Sequence, residues 1–509
     1  MARGRADYLL ETLEETGLAC PGRQGTVTRP AMNEMSPTRA RPLSPEIIER
    51  FAAIVGKAHA LVDPDQQLPY LKELRDKYVG RSALVLRPAS TDEVSRIMAL
   101  ANELNLAVVP QAGNTGLVGG QIPQHGEIVV SVARLNKVRH VDPAGTSMTV
   151  EAGLTLQECQ DVAEKAGRLF PLALPSQGSC RIGGNLGTNA GGVGVLAYGN
   201  ARQQVLGLEV VLADGRVWNG LRALKKDNTG YDLRDLFIGS EGTLGIITAA
   251  VLRLLPRPAE MATAMVTLPS IDNALKLLSE AQSRAGGTLT AFEFIPRLMV
   301  EIVLKHIKGT RDPFATPYPW YVLLEISGPK ADGTAQTQME DILVAASENG
   351  LILDAAIAQS PNQARDLWLI RESISEAQRP EGGNVKHDVS VAVARIPEFL
   401  ERAAAAVEKV CPGARPLPIG HFGDGNIHYN IAKPIGMDDK IFLAQWDAIM
   451  SAVHDVVAAM DGSISAEHGI GVMKRGELAR LKDPIELDLM RRIKDALDPK
   501  GLLNPGKVL

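Results

Sequence analysis

At 509 residues the chain is too long for one hydrophobic core and should divide into two or three domains. Its 45% hydrophobic and 22% charged residues are ordinary for a globular protein. A net charge of −5 and 4% aromatic residues exclude a basic nucleic-acid surface and base-stacking platforms, and no apolar run reaches the roughly 18–20 residues that span a bilayer.

Residues 1–44 mix arginines with acidic residues and lack the apolar stretch of a secretory signal. Two methionines, Met32 and Met35, precede Ser36-Pro37, so this region reads as a disordered tail or an over-called start. Folding should begin at Ser44, an N-cap followed by Pro45 at the first helical position and an amphipathic run to Val55. Residues 83–88 read as a buried strand, Ser90 opens a helix to about Asn105, and residues 106–110 form the next strand, giving a β-α-β unit. Further strands are expected at 128–131 and 148–152, with a helix from Leu156 to Ala166. A hairpin turns at Asp214-Gly215, and a strand from Gly245 stops at Pro256-Arg257-Pro258, which marks the first domain boundary. Beyond it, helices at 271–285, 333–349 and 396–410 separate strands such as 321–326, the pattern of an α+β domain with an antiparallel sheet. A final helix covers 484–497.

The four cysteines (Cys20, Cys159, Cys180 and Cys411) are far apart with no CxxC pair. They suit a reducing compartment, the cytoplasm or, in a eukaryote, the mitochondrial matrix.

Two segments are dense in glycine. The first follows a strand and runs from Pro110 through Gly113, Asn114, Thr115 and Gly116 to Gly119 and Gly120. Glycine lets backbone N–H groups approach a pyrophosphate closely, and Asn114 and Thr115 add side-chain donors. The pattern matches neither G-x-G-x-x-G opening a helix nor a Walker loop. The second loop runs from Pro175 through Gly178, Ser179, Ile182, Gly183, Gly184, Thr188 and Asn189 to Gly191 and Gly192. One Gly-Gly pair would be a tight turn, but two such loops after strands in one domain indicate a cradle for an anionic cofactor.

Near the C-terminus, Gly420 to Asn430 contains His421 and His428 around a Gly-Asp-Gly turn, and Ser465 to Gly469 contains Glu467-His468. A hairpin would bring His421 and His428 face to face, and strand alternation puts His428 and Asn430 on one face. With Glu467 this is a His₂Glu donor set that suits catalytic zinc, or Mn²⁺ and Fe²⁺ by the same ligand types. Adjacent residues of a regular strand face opposite ways, so Glu467 and His468 require an irregular backbone, which Gly469 eases.

The two glycine loops, together with Asp227-Asn228-Thr229-Gly230-Tyr231-Asp232-Leu233 and the segment Gly239 to Thr248, resemble the FAD domain of the vanillyl-alcohol oxidase family of flavoproteins. The C-terminal half resembles that family's FAD-linked oxidase cap, so the likeness covers roughly residues 45–509. It implies an α+β fold: a two-subdomain PCMH-type FAD-binding domain at 45–257 and a cap with an antiparallel sheet and flanking helices at 258–483. A C-terminal segment, 484–509, would pack back on the FAD domain.

The likeness also assigns roles. The first loop would wrap the pyrophosphate and the second would run past the flavin and ribityl chain. Glu241, Gly242, Gly245, Ile246 and Ile247 would hold the adenosine end, with Asn504 as a further cofactor contact. Neither histidine nor cysteine occurs at 110–120, so FAD is expected to be non-covalent and dissociable. The cap is most similar to that of the D-2-hydroxyacid dehydrogenases. This implies His421, His428 and Glu467 as metal ligands, His468 as the catalytic base and Asn430 as a substrate contact. Arg371 and Ser375, one helical turn apart, and Lys386 would surround the second carboxylate of a dicarboxylic acid. Relatives of that kind usually carry threonine where this chain has Ser375 and tyrosine where it has His387.

The expected reaction is oxidation of D-2-hydroxyglutarate to 2-oxoglutarate, with electron-transferring flavoprotein or a quinone as acceptor and a homodimer admitted as the assembly. D-lactate or glycolate oxidation is the alternative within the family, and a non-catalytic flavoprotein subunit the alternative outside it.

Overall fold

The computed structural model describes residues 43–73 and 77–509; the expectations for the N-terminal tail and for Cys20 lie outside them. Ser44 caps the first helix, Pro45–Val55, accepting the N–H of Ile47 at 3.3 Å. Strands Ala60–Leu61, Val85–Leu86, Ile128–Ser131 and Val108–Gln111 form a sheet in that order, the last three parallel. The β-α-β unit is present, with helix Thr91–Leu104 capped by Ser90. Its two strands are not neighbours, because Ile128–Ser131 lies between them and pairs with both.

A second sheet is antiparallel: Val138–Asp142, Ser147–Glu151, Ile246–Arg253, Val205–Val211 and Val217–Gly220. Leu86, Val94 and Val130 from the first sheet and its helix join Val150, Leu208 and Leu252 from the second in one core. The second glycine segment is not a loop throughout. Ile182–Gly187 is a short helix, which three glycines disfavour but which Ile182 and Leu186, four residues apart, anchor in that core.

Past Pro256 the chain builds a mainly antiparallel sheet in the order Asp354–Ile357, Glu260–Leu268, Trp320–Gly328, Leu289–Pro296, Arg415–His421, Asn426–Ala432, Asn384–Lys386. Both faces are covered. Val322, Leu324 and Ile326 pack under helices Ile271–Ala285, Thr334–Glu348 and Ile396–Val410, whereas Tyr321 and Leu323 face Arg297–His306 and Pro361–Glu372. Burial on both sides explains the unbroken apolar run at 321–324.

The C-terminal residues return to the first sheet. Val108 donates its N–H to Leu502 O and accepts that of Asn504, both at 2.8 Å, and Leu503 is fully buried in the first core. Leu503→Ala should therefore cost about 2–5 kcal/mol of stability, read as a lower urea midpoint at unchanged m-value.

Candidate active site

The hairpin Arg415–His421 to Asn426–Ala432 turns through Phe422–Asp424, and its register sets Ile419 opposite His428 and His421 opposite Asn426. His421 and His428 thus share one face, their ring centres 5.4 Å apart. Glu467 comes to them from another segment. Its Oε1 lies 3.8 Å from His421 Nε2 and its Oε2 lies 3.8 Å from His428 Nε2. Two ligands each about 2.0–2.2 Å from a shared ion stand roughly 3–4 Å apart, so nitrogen and oxygen donors at this spacing fit a divalent metal.

Two buried carboxylates stand behind these rings. Glu293 lies opposite His421 in the neighbouring strand, and its Oε1 is 2.6 Å from His421 Nδ1. Its Oε2 accepts from Arg371 Nε at 2.7 Å, with Arg371 Nη2 at the same distance. Asp388 Oδ1 lies 3.8 Å from His428 Nδ1, and Oδ2 lies 3.5 Å from His468 Nδ1. The bond from Glu293 directs His421 Nε2 forward, the support that metal-binding histidines commonly have, whereas Asp388 stands behind His428 Nδ1 beyond hydrogen-bond distance. Asp388 belongs with His428, Glu467 and His468 to the group whose candidate ligand atoms all lie within 4.8 Å of one another, a group that takes in the expected base and leaves out the expected ligand His421. The Asp388 oxygens, however, already accept from the N–H groups of Glu467 and His468 and from Asn426 Nδ2. That makes it a support.

The charges divide accordingly. Burial works against a charged Glu293, yet His421 and Arg371 outweigh it and hold the pKa down to about 2. Burial likewise opposes charge on His421, but Glu293 lifts it to about 9. Burial drives His428 down to about 3 against the pull of Asp388. Burial raises Glu467, partly offset by His421. Lys474, also buried, stands 3.9 Å from Asp388 Oδ2.

The structure brings His428, Glu467 and His468 together with His421 beside them, and Asn430 follows His428 on the same strand face, opposite Lys386 in the next strand. It departs from expectation at Ser375 and at Arg371. The 368–375 helix stops at Glu372, with Ser373 as its cap, so Ser375 belongs to a separate turn, Ile374–Ala377, and is exposed. Arg371, expected beside the second carboxylate of the substrate, is paired with the buried Glu293. His387 is buried against His454 and Tyr429 rather than against His421, His428 or His468. Sequence reasoning missed Glu293 and Asp388. The available signal was an acid inside an apolar strand, Ala291-Phe292-Glu293-Phe294-Ile295, and beside another strand at His387-Asp388-Val389.

The glycine segments adjoin this cluster. Some of their glycines serve close packing: a Cβ on Gly113 would lie 2.4 Å from Ser179 O, and one on Gly192, at φ +112°, would lie 2.0 Å from Ala173 O. Others, such as Gly178, face open space. The buried Oδ1 atoms of Asn114, Asn185 and Asn504 have no hydrogen-bond partner among the described residues. Open backbone beside unmatched acceptors fits a polar cofactor with hydroxyl and amino donors, as FAD has. The Glu241 carboxylate is used within the protein, accepting from Ile470 and Gly471. The Asp227 to Leu233 segment is exposed, with Tyr231 94% accessible.

Residues 82–220 match the family described as FAD binding domain, and residues 257–508 match FAD linked oxidases, C-terminal domain. The probable D-2-hydroxyglutarate dehydrogenase, mitochondrial, of Oryza sativa subsp. indica is 40% identical over 471 residues, 92% of this chain and 82% of the relative. The chain belongs to the FAD-linked oxidase family. Another relative is the D-2-hydroxyglutarate dehydrogenase of Xanthomonas citri pv. viticola, 39% identical over 86% of this chain and 92% of its own. A third is the D-2-hydroxyglutarate–pyruvate transhydrogenase of Saccharomyces cerevisiae, 37% identical over 92% and 95%. Among solved structures, p-cresol methylhydroxylase shares the fold, with a TM-score of 0.73 at 19% identity over 91% of this chain and 96% of that one. This FAD-linked oxidase is accordingly an FAD-dependent oxidoreductase with a PCMH-type FAD-binding domain and an α+β cap.

Two outcomes follow from the cluster. Glu293→Gln removes the charge that orients His421, so at about pH 9 and above, where no proton on His421 has to be displaced, divalent-metal affinity should fall about 10–100-fold, measured by competition with a chromophoric chelator, while the circular dichroism spectrum is unchanged. His421 keeps its second proton below about pH 9 and a metal must displace it. Affinity should then rise about tenfold per unit between pH 6 and 8; a flat profile would mean that His421 is already neutral.

Proposed function

We propose that this FAD-linked oxidase oxidises D-2-hydroxyglutarate to 2-oxoglutarate, with His421, His428 and Glu467 holding a divalent metal, zinc by donor type, and His468 as the base. The observation that carries this reading joins the two halves of the protein: Glu467 Oε1 accepts the N–H of Gly192, in the second glycine segment, at 2.5 Å. The candidate metal ligand and the candidate flavin loop are therefore directly bonded. The names of the relatives supply the substrate.

When bound, FAD supplies the acceptor for the C2 hydride, and a divalent ion supplies the positive charge that makes the C2 hydroxyl more acidic. The chain's own residues do the rest. With its Nδ1 proton directed at Asp388, His468 has Nε2 as its basic nitrogen, the atom that takes the hydroxyl proton. Its ring lies 5.9 Å from that of His428 and nearly parallel to it, which sets the base beside the metal ligands. Asn430 and Lys386, paired across strands, offer an amide and a cation to the substrate. Arg371 adds a guanidinium fixed in direction by Glu293. A charge-assisted bond to the distal carboxylate contributes on the order of 1.5–3 kcal/mol, enough to favour a dicarboxylate.

One observation favours a second reading. Arg371 has two donors engaged by Glu293 and Ser375 is exposed, which weakens the case for a second carboxylate pocket and favours D-lactate or glycolate. Electron-transferring flavoprotein or a quinone is the proposed acceptor. The Saccharomyces relative's name adds a 2-oxoacid as a rival. The proposed compartment is the cytoplasm, or the mitochondrial matrix in a eukaryote, and the proposed assembly a homodimer.

Anaerobic mixing with D-2-hydroxyglutarate, D-lactate, D-malate and glycolate, with and without chelator, tests the reading. D-2-hydroxyglutarate should bleach the flavin fastest and lose that ability with chelator. His468→Ala should slow reduction by about 10²–10⁴-fold with FAD and metal still bound. Faster bleaching by a monocarboxylate would return Arg371 and Lys386 to structural roles, and none by any acid would end the dehydrogenase reading. Adding pyruvate to the reduced enzyme separates the acceptor classes.

A further inference from the structure

The segment that follows the base is bonded to the flavin side of the protein at several points. Glu241 Oε1 accepts the N–H of Ile470 at 2.6 Å and Oε2 accepts that of Gly471 at 2.8 Å. Val118 O, in the first glycine segment, accepts the N–H groups of Val472 and Met473 at 2.9 and 3.2 Å. Asn504 Nδ2 donates to Gly120 O and to Glu241 O at 2.9 and 2.7 Å. Glu241 itself stands at φ +52°, a left-handed conformation unusual for glutamate, and its N–H is tied to Gly187 O at 2.8 Å. Strain of this kind persists where surrounding bonds over-determine a residue, and it points to a use.

We propose that Glu241 is a positioning residue rather than a ligand of FAD, and that its clamp on Ile470 and Gly471 makes FAD binding and metal binding mutually reinforcing. This rests on the reading that the glycine segments hold FAD and that His421, His428 and Glu467 hold a metal. Three flavin-side positions, Val118, Gly192 and Glu241, each bond to residues 467–473, the stretch that carries Glu467 and His468. Whichever ligand binds first orders both sides of this seam, so the second meets a site whose ordering is already complete. The coupling is reciprocal: FAD must tighten metal by the same factor as metal tightens FAD. The clamp uses both carboxylate oxygens, one per N–H. Glu241→Gln keeps the size but turns an amide N–H₂ toward one backbone N–H, losing that bond.

The test is a binding cycle on the full-length protein, needing no turnover. Zn²⁺ affinity is measured by chelator competition with and without FAD, and FAD affinity by flavin fluorescence with and without Zn²⁺. In the wild type each ligand should tighten the other by the same factor, within about 5–150-fold. In Glu241→Gln that factor should fall toward one, while FAD affinity without metal is unchanged. Equal Zn²⁺ affinity in both flavin states of the wild type overturns the proposal, whatever the variant does. So does a Glu241→Gln protein that keeps the full factor. Loss of FAD affinity in the metal-free variant would instead make Glu241 a flavin ligand. Absence of Zn²⁺ binding to FAD-loaded wild type would remove the metal reading itself, a failure distinct from loss of coupling.

Discussion

Two consecutive backbone N–H groups, those of Glu467 and His468, converge on one oxygen of Asp388 at 2.9 and 2.8 Å, and the arrangement of the site depends on that convergence. In an extended strand successive N–H groups point to opposite sides, so the two cannot share an acceptor. Bending the chain around Asp388 turns neighbouring side chains to the same side, Glu467 toward the two hairpin histidines and His468 beside His428. A carboxylate this deeply buried needs compensation. Asn426, the two N–H groups and the nearby Lys474 ammonium supply it.

A similar logic separates the two hairpin histidines. They are chemically identical and their rings are 5.4 Å apart, yet one is held charged and the other neutral in the absence of metal. The difference comes from their neighbours: Glu293 bonds to His421 at 2.6 Å, whereas Asp388 stays 3.8 Å from His428. His421 is the more buried of the two, so distance to a carboxylate rather than exposure keeps its charge.

The sequence was readable where its signals are local. Ser44 and Ser90 before their helices, the Asp214-Gly215 turn, the run at 321–326 and the glycine-punctuated hairpin each carry their instruction within a few residues, and the structure follows them. Glu293 and Asp388 were missed because their partners lie 128 and about 80 residues away: an acid in or beside an apolar strand signals that it needs a partner but does not say which one. Helical periodicity linked Arg371 to Ser375 but could not register that Ser373 ends the helix. Glycine is ambiguous in the same way. Gly113 and Gly178 look alike in sequence, yet one is demanded by a neighbouring carbonyl and the other faces open space.

The strand Asn426–Ala432 alternates between two solvents, in effect. Ile427, Tyr429 and Ile431 sit in the cap's core, while His428 and Asn430 lie on the opposite face, the one that carries the proposed site. Alternation has a period of two, so shifting this strand by one residue would turn both histidine and asparagine into the core and bring three apolar side chains to the chemistry. The number of residues between His421 and His428 is therefore as constrained as the histidines themselves. Insertions that loops elsewhere absorb would, in this turn, exchange an active surface for a greasy one.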